Sequence, residues 1–581
     1  MSDLLRSRRF MLKWLTCSGG AALFLAACGG GSQVNSVLPE SDLSTQESTN
    51  LLVSNRIFPQ GVWSGDPTTE GAVLSTRALP NGTDLVSVNV RLEVADNEGF
   101  EPIAQQYTLT AYATAGFDYR QRPGDYIARQ VVTGLNPSQR YFFRFVASLG
   151  QTSPVGSFKT LPSQGEASLV NFIHMSCANQ PPYPVASALA DELQNLDPAF
   201  VIFNGDTVYA DAFWQGGQPE SNIEFYRNLY RQQRDASYTG PGFPDLFLRT
   251  SFISNWDDHE VINDYSGRSV LLPAAQPGIP LPSNISDLQA LGYQAFLEYT
   301  PVRPTFEDDP GVDPLTRVFR QTRVGADLEI FTLDLRQYRD LPGGLAGQAP
   351  LFPILPPGVD PQALSAELGL TRTASLALFG LKRTELPLRQ VPRRLLGSAQ
   401  KQWLKSNLLA SNATFKIIVS EFIFSESYAQ PYDRWEGYWL ERQEILNFIE
   451  DNGIRNVVIL SGDQHAGQIS LINPDSSNPI WEVDTGPVGR STLAAGIKEL
   501  GESLGILNAD VVYYEIINQF TAPVEFGGIP GSTNNTLRFY EIDNPNYCTV
   551  EVNGSSLRIQ LKNSSGGVLT DPLGRVGELI L

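Results

Sequence analysis

The fold is decided by residues 252–260, which read Phe-Ile-Ser-Asn-Trp-Asp-Asp-His-Glu. In this stretch four ionisable side chains follow one another directly after an apolar, strand-like segment. They are Asp257, Asp258, His259 and Glu260. A hydrophobic core gains nothing from such a run, because desolvating charged groups is costly unless a metal or opposite charges compensate them. The stretch therefore predicts a functional site at the end of a strand.

The histidines point to the same kind of site. The 581 residues include only three, His174, His259 and His465. Each one ends an apolar run and stands beside carboxylates or a cysteine. This coincidence is the main indication of function in the sequence.

Composition limits the class of protein. The formal charge is −20 at pH 7, and 42% of the residues are hydrophobic. The length allows roughly two or three domains, and the apolar content is sufficient for a sizeable core. The acidic balance argues against a nucleic-acid partner and suits cation binding. We expect a monomer.

The first residues have the pattern of an export signal. Residues 7–13, Ser-Arg-Arg-Phe-Met-Leu-Lys, resemble a twin-arginine motif, and the apolar run 21–25 is too short to span a bilayer. Residues 25–28 resemble a lipobox that ends at Cys28. Residues 1–28 are thus predicted to be the signal of a bacterial lipoprotein, periplasmic or anchored at the outer membrane or cell surface through a lipid on Cys28. An uncleaved membrane anchor is the alternative. The polar residues 29–52 are typical of a flexible linker.

Residues 53–163 show short alternating segments between turn residues. Candidate strands are 72–77, 86–92, 106–112, 126–132 and 141–146. Regular spacing without helices predicts a β-sandwich of the fibronectin-III or Ig-like type. Chemically useful side chains do not cluster here, so we expect a supporting or docking domain.

From residue 164 to 581 apolar strands alternate with helices, which predicts an α/β layered catalytic domain. Strands after residue 481 are expected to complete its second sheet. Residues 341–395 form an insertion rich in Pro, Gly and Leu, which is either a lid or wall of the site or a surface excursion.

Unusual polar residues follow five of the predicted strands, and candidate ligands follow four of these, where the carboxyl ends of an α/β sheet line the site. Gly205 lets the chain turn so that Asp206 points outward, and Tyr209 lies one helical turn further on. Asp463 and His465, two residues apart, point the same way in an extended chain. An oxygen-rich set with one thiolate and one imidazole suits a hard trivalent ion plus divalent ions better than zinc alone. The set is Cys177, Asp206, Tyr209, Asp258, Asp463 and His465.

Each carboxylate taken singly has a structural alternative as a helix cap or turn residue. For Cys177 the alternative to metal binding is a disulfide with Cys548, which an exported compartment permits. Cys548 itself lies in a strand-like run and is expected to belong to the core.

These segments together resemble the PhoD-like alkaline phosphatases and phosphodiesterases, a branch of the calcineurin-like metallophosphoesterases. The Trp-Asp-Asp-His-Glu segment is the most specific part, and residues 58–77 resemble the start of that family's N-terminal domain. The resemblance implies a four-layer α/β domain with two β-sheets flanked by helices. The matching segments are 176–177, 205–209, 256–261, 333–339, 396–404 and 462–465.

The resemblance also implies the chemistry, which is hydrolysis of phosphate esters by a metal-bound hydroxide with ferric iron and calcium, or another divalent metal. Iron would be held by Cys177, Asp206, Tyr209 and His465. A divalent ion would be shared by Asp206, Asp258 and Asp463.

The roles of three further residues follow from the same resemblance. His259 would face the phosphate and assist the leaving oxygen. Arg336 would either contact the phosphate or pair with Asp334, and the role of Asp257 is open. Asp211 departs from the family pattern, which often has Glu there.

Two other functions compete with hydrolysis at a metal centre. The first is a non-catalytic exported lipoprotein that retains the fold as a binding module. The second is a serine esterase, but no histidine is left as its base and no Gly-x-Ser-x-Gly elbow ends a strand.

Overall fold

The computed structural model describes residues 56–81, 86–179, 183–213, 219–235, 242–267, 285–303, 316–340, 392–425, 434–474, 476–496 and 535–581, with a few isolated positions between them. The predicted signal, the predicted linker and all but the last residues of the insertion 341–395 lie outside these ranges. Among the described helices, none combines the length and the apolar character needed to cross a bilayer.

The first eight described elements are all strands, and helices are interspersed with strands from residue 186 to residue 451. The helices are α1 (Ala186–Asn195), α2 (Ile223–Gln233), α3 (Phe243–Arg249), α4 (Ser286–Tyr299), α5 (Gly397–Ala410) and α6 (Trp439–Asp451). The strands are β1 (Val62–Thr68), β2 (Gly71–Arg77), β3 (Ser87–Ala95), β4 (Gln105–Tyr112), β5 (Ile127–Val131), β6 (Arg140–Ala147), β7 (Gly156–Lys159), β8 (Val170–Met175), β9 (Phe200–Asn204), β10 (Ser251–Asn255), β11 (Tyr265–Ser266), β12 (Ser269–Val270), β13 (Arg320–Val324), β14 (Leu328–Thr332), β15 (Phe415–Phe422), β16 (Val457–Gly462), β17 (Gly467–Ile472), β18 (Ile480–Asp484), β19 (Asn535–Glu541), β20 (Asn546–Asn553), β21 (Ser556–Asn563) and β22 (Glu578–Ile580).

The described strands form two large mixed sheets and one hairpin, β11-β12. The first sheet has the order β22-β21-β20-β8-β9-β10-β1-β2-β5-β4-β3-β6-β7, and the second has the order β13-β14-β15-β16-β18-β17-β19. Strands β8, β9 and β10 run parallel in the first sheet, as β14, β15, β16 and β18 do in the second. The carboxyl ends of each parallel set therefore meet at one edge of its sheet.

The two sheets pack face to face with helices on their outer sides. Apolar side chains of both sheets, such as Phe172, Ile202, Ile330 and Val458, share one buried cluster. Helices α1 to α4 cover the outer face of the first sheet. Helices α5 and α6 cover the outer face of the second.

The N-terminal strands continue the first sheet. Strand β1 pairs antiparallel with β2 and parallel with β10, with Ser64 opposite Ser251. The strand that precedes the Trp-Asp-Asp-His-Glu stretch is therefore held on one side by β9 and on the other by the N-terminal region. The sequence interpretation found β2 to β6 and missed β1 and β7.

The last strands correct one expectation. Strand β19 does join the second sheet, but β20, β21 and β22 extend the first, because β20 pairs antiparallel with β8. Cys548 of β20 lies opposite His174 of β8. The prediction that all strands after residue 481 complete the second sheet is thus wrong.

A buried ion pair ties the N-terminal region to the helices behind the first sheet. Glu298 at the end of α4 has 0% exposure and accepts hydrogen bonds from Arg227 Nε and a terminal guanidinium nitrogen, both at 2.7 Å. It also accepts one from the backbone N–H of Gly124, at 3.0 Å. One carboxylate therefore joins α2, α4 and an N-terminal loop.

Replacing Glu298 with Gln should destabilise the protein. The change keeps the side-chain shape but removes the charge that balances buried Arg227, and breaking a buried pair from one side typically costs about 3–5 kcal/mol. We expect the free energy of unfolding, measured by urea titration with circular dichroism, to fall by roughly that amount. Glu578→Gln is the control, because its partner Arg558 is 49% exposed and such pairs contribute about 0–1 kcal/mol. Equal effects of the two changes would contradict the assignment.

Candidate metal centre

The candidate ligands sit on sharp turns that follow the strands. Cys177, Asp206, Asp463 and His465 have φ angles of 60°, 54°, 68° and 59°. Residues other than glycine rarely adopt this left-handed conformation, and it clusters at functional sites. The prediction of an extended chain at 463–465 is therefore wrong, and the segment from Asp206 to Tyr209 is not helical either. The turns nevertheless bring the predicted side chains together.

The first group of ligand atoms contains Cys177, Asp206 and His465. One donor atom from each lies within 4.8 Å of the others, and all three residues are buried. The Tyr209 hydroxyl joins them, since it donates to Asp206 Oδ2 at 2.7 Å and lies 3.0 Å from His465 Nε2. Thiol, phenol, imidazole and carboxylate thus surround one point.

The second group contains Asp206, Asp257, Asp258 and Asp463, whose carboxylate oxygens lie within 4.8 Å of one another. Asp258 Oδ2 accepts from the backbone N–H of Asp264 at 2.5 Å, whereas its buried Oδ1 has no hydrogen-bond partner. A buried carboxylate oxygen in that state can take a cation or a water molecule as its partner. The donor set and this oxygen both fit the metal ions that the sequence predicts.

Burial and mutual repulsion shift the acidic groups toward their neutral forms. Burial, with repulsion from Asp258 and Asp463, raises the pKa of Asp206 to about 7, although His259 opposes the shift. Burial also raises the pKa of Asp257, Cys177 and Tyr209 well above the ordinary values. A bound cation reverses these shifts, so metal binding here releases protons.

Arg336 compensates part of this negative charge. Its guanidinium is fully buried, donates to Asp257 Oδ1 and lies 3.3 Å from Asp258 Oδ2 and 3.9 Å from Asp463 Oδ1. Asp334, the expected partner, instead accepts the backbone N–H of Arg336 at 3.1 Å. The principal side-chain partner of Arg336 is thus Asp257, whose position the sequence left open.

His259 is held by a residue that the sequence interpretation noted only as a departure. Its Nδ1 lies 2.7 Å from Asp211 Oδ1, and its ring stacks on Tyr209 with centroids 4.0 Å apart. Although burial lowers the pKa of His259, the carboxylates of Asp211, Asp206 and Asp258 together raise it to about 10. Asp211 and His259 lie 48 positions apart in the chain, and no pattern in the sequence indicated this contact.

The remaining residues of the opening stretch hold the site in place. Glu260 accepts the backbone N–H groups of Thr207 at 2.6 Å and Asp257 at 2.9 Å, so it joins the loops after β9 and β10. The Trp256 ring stacks on Tyr293 of α4 with centroids 4.1 Å apart.

The other two histidines, His465 and His174, lie in different surroundings. Burial lowers the pKa of His465 to about 3, with help from Arg490 and His259, and the neutral ring is the form that binds metals. His174 lies inside β8 with Nδ1 3.8 Å from Cys548 Sγ, away from the carboxylates of the two ligand groups, and belongs to the core. Cys177 and Cys548 are both free thiols, so the alternative disulfide does not form.

Comparisons with known proteins identify the family of this chain. The family "PhoD-like phosphatase" matches residues 172–560, and "PhoD-like phosphatase, N-terminal domain" matches residues 44–162. Alkaline phosphatase D of Bacillus subtilis (strain 168) is 28% identical over 447 residues, which cover 72% of this chain and 66%, slightly less than two thirds, of that relative. A solved structure of PhoD shares the fold with a TM-score of 0.62 at 22% identity, over 89% of each chain. The chain therefore belongs to the PhoD-like phosphatase family, as its motifs predict.

Proposed function

We propose that this chain hydrolyses phosphate esters at the metal centre around Asp206, as an alkaline phosphatase, a phosphodiesterase or both. One observation carries the proposal: Asp206 belongs to every ligand group found among the described residues. A carboxylate shared between two cations is what a two-metal phosphoryl-transfer site requires. The similarity to alkaline phosphatase D supports the same reaction class, and nothing in the comparisons favours a binding module without catalysis.

We infer that the metals are ferric iron and calcium, with another divalent ion as the alternative to calcium. The mixed donors Cys177, Tyr209 and His465 suit a ferric ion, and the all-oxygen pair Asp258 and Asp463 suits calcium. Asp206 would be common to both sites. When bound, such cations would activate a water molecule and neutralise charge on the phosphate oxygens.

His259 and Asp211 are the side chains that would deliver a proton to the leaving oxygen. Asp211 accepts the Nδ1 proton of His259 and fixes the ring, as the 2.7 Å contact indicates. The other ring nitrogen, Nε2, would then carry the proton to the leaving oxygen. The positive charge of Arg336 offsets part of the negative charge of the carboxylates. Because Arg336 is fully buried, we assign it a positioning role.

For the N-terminal region 53–163 we retain the interpretation as a fibronectin-III or Ig-like β-sandwich that supports the catalytic region 164–581. A separate buried cluster with Val62, Leu92, Phe143 and Phe158 supports it. We also propose export through residues 1–28 and anchoring by a lipid at Cys28, on the basis of the sequence pattern.

Asp206→Asn should abolish hydrolysis without unfolding the protein. The change removes the Asp206 charge that both ligand groups share. We expect this loss to weaken transition-state stabilisation by several kcal/mol, which lowers kcat/KM by about a thousandfold or more. Elemental analysis should show less iron, and circular dichroism should be unchanged. The control is Asp197→Asn, since Asp197 is an exposed partner of Arg140 and Lys159. Full activity in the Asp206 variant would refute the assignment.

Asp211→Asn should slow turnover while the metal content stays the same. Loss of the carboxylate weakens both the orientation and the protonation of His259, and positioned acid–base groups contribute about 10²–10⁴-fold. We expect kcat to fall about 10- to 100-fold and Asp211→Glu to recover part of it. An unchanged kcat in Asp211→Asn would rule out this role.

Cys28→Ala should release the protein from membranes. Without the thiol no lipid is attached, so the exported protein should move from the membrane fraction to the soluble fraction when an expressing bacterium is fractionated. Cys17→Ala should leave the protein on membranes, because Cys17 lies within the predicted signal. If the Cys28 variant stays in the membrane fraction, the lipid-anchor proposal is wrong.

A further inference from the structure

Arg490 is a cation beside the metal centre to which neither the sequence pattern nor the proposed mechanism gives a role. It lies on the loop 486–493, which follows β18 in the second sheet. The residue is partly exposed, whereas Arg336 in the same region is fully buried. Arg490 can therefore meet a solute that enters the site, and Arg336 cannot.

The loop that carries Arg490 is fixed to the two ligand loops. The backbone N–H of Gly489 donates to Cys177 O at 3.1 Å, and that of Leu493 donates to His465 O at 2.9 Å. A β-carbon at Gly489 would come within 2.3 Å of Tyr183, so the backbone beside Arg490 is closely packed. Arg490 is thus held between Cys177 and His465.

The guanidinium lies over the ring of a proposed metal ligand. Its central carbon lies 5.1 Å from the centroid of the Tyr209 ring, and the Tyr209 hydroxyl contacts Asp206 and His465. The ring of His259 stacks on the same tyrosine. Arg490 therefore stands beside the residues proposed to hold iron and the residue proposed to protonate the leaving group.

We propose that Arg490 binds the non-bridging oxygens of the phosphoryl group in the ester substrate, and of inorganic phosphate after hydrolysis. The proposal rests on the function proposed above. A guanidinium presents parallel N–H donors that match two phosphate oxygens, which a lysine ammonium cannot do. Arg490 would thereby orient the phosphoryl group over Asp206 with its leaving oxygen toward His259.

The test compares wild-type holoprotein with Arg490→Ala, Arg490→Lys and Arg558→Ala. Arg558 is the control because it lies on β21 in an exposed pair with Glu578. Isothermal titration calorimetry measures the Kd for inorganic phosphate, and a chromogenic aryl phosphate monoester gives KM and kcat. Elemental analysis and circular dichroism check metal content and folding.

We expect Arg490→Ala to raise both Kd and KM at least about tenfold, to lower kcat because the phosphoryl group is less well oriented, and to leave the metal content unchanged. Arg490→Lys should fall between Ala and wild type, and Arg558→Ala should match wild type. Wild-type Kd and KM in Arg490→Ala would overturn the inference while leaving the proposed function intact. Parallel loss of metal and phosphate binding would also overturn it, because the effect would then run through the ligands. A wild-type protein that binds phosphate but hydrolyses no ester would refute the function alone.

Discussion

The structure depends on the burial of four carboxylates that would repel one another without compensation. Asp206, Asp257, Asp258 and Asp463 bring oxygens within 4.8 Å in a place with almost no access to water. Arg336 supplies one fixed positive charge, and the backbone N–H groups of His259 and Asp264 supply further donors. Protonation relieves part of the remaining repulsion, and cations bound to these oxygens would compensate it more fully.

Hydrogen bonds and packing hold the candidate ligands in this arrangement. Each ligand sits on a strand end or a left-handed turn, and Glu260 fixes two of those turns to each other through backbone N–H groups. Behind them Trp256 packs on α4, and α4 is joined to the N-terminal region through Glu298. Support for the site thus extends from the metal ligands to strands that contribute no ligand.

The sequence predicted the strand ends and the six candidate ligands that meet there, because apolar parallel strands followed by Gly-Asp or Asp-Asp-His leave a strong local pattern. It missed β1, since Gly65, Asp66 and Pro67 within that strand are typical of a turn. It misassigned β21 because alternation shows that a segment is a strand but not which sheet it joins. Asp211 and Arg490 are side chains that only tertiary packing brings to Tyr209 and His259, and no spacing along the chain reveals such contacts.

The pairing of β8 also bears on when the site can form during synthesis. One neighbour of β8 is β9, close in the chain, and the other is β20, where Cys548 lies 374 positions after His174. Contacts between residues so far apart in the chain form late and slow folding, because closing a long loop costs conformational entropy. A ribosome-bound chain therefore carries Cys177 on an incomplete sheet until residues 546–553 have emerged. A site that includes Cys177 on a complete sheet can accordingly exist only after nearly the whole chain has been made.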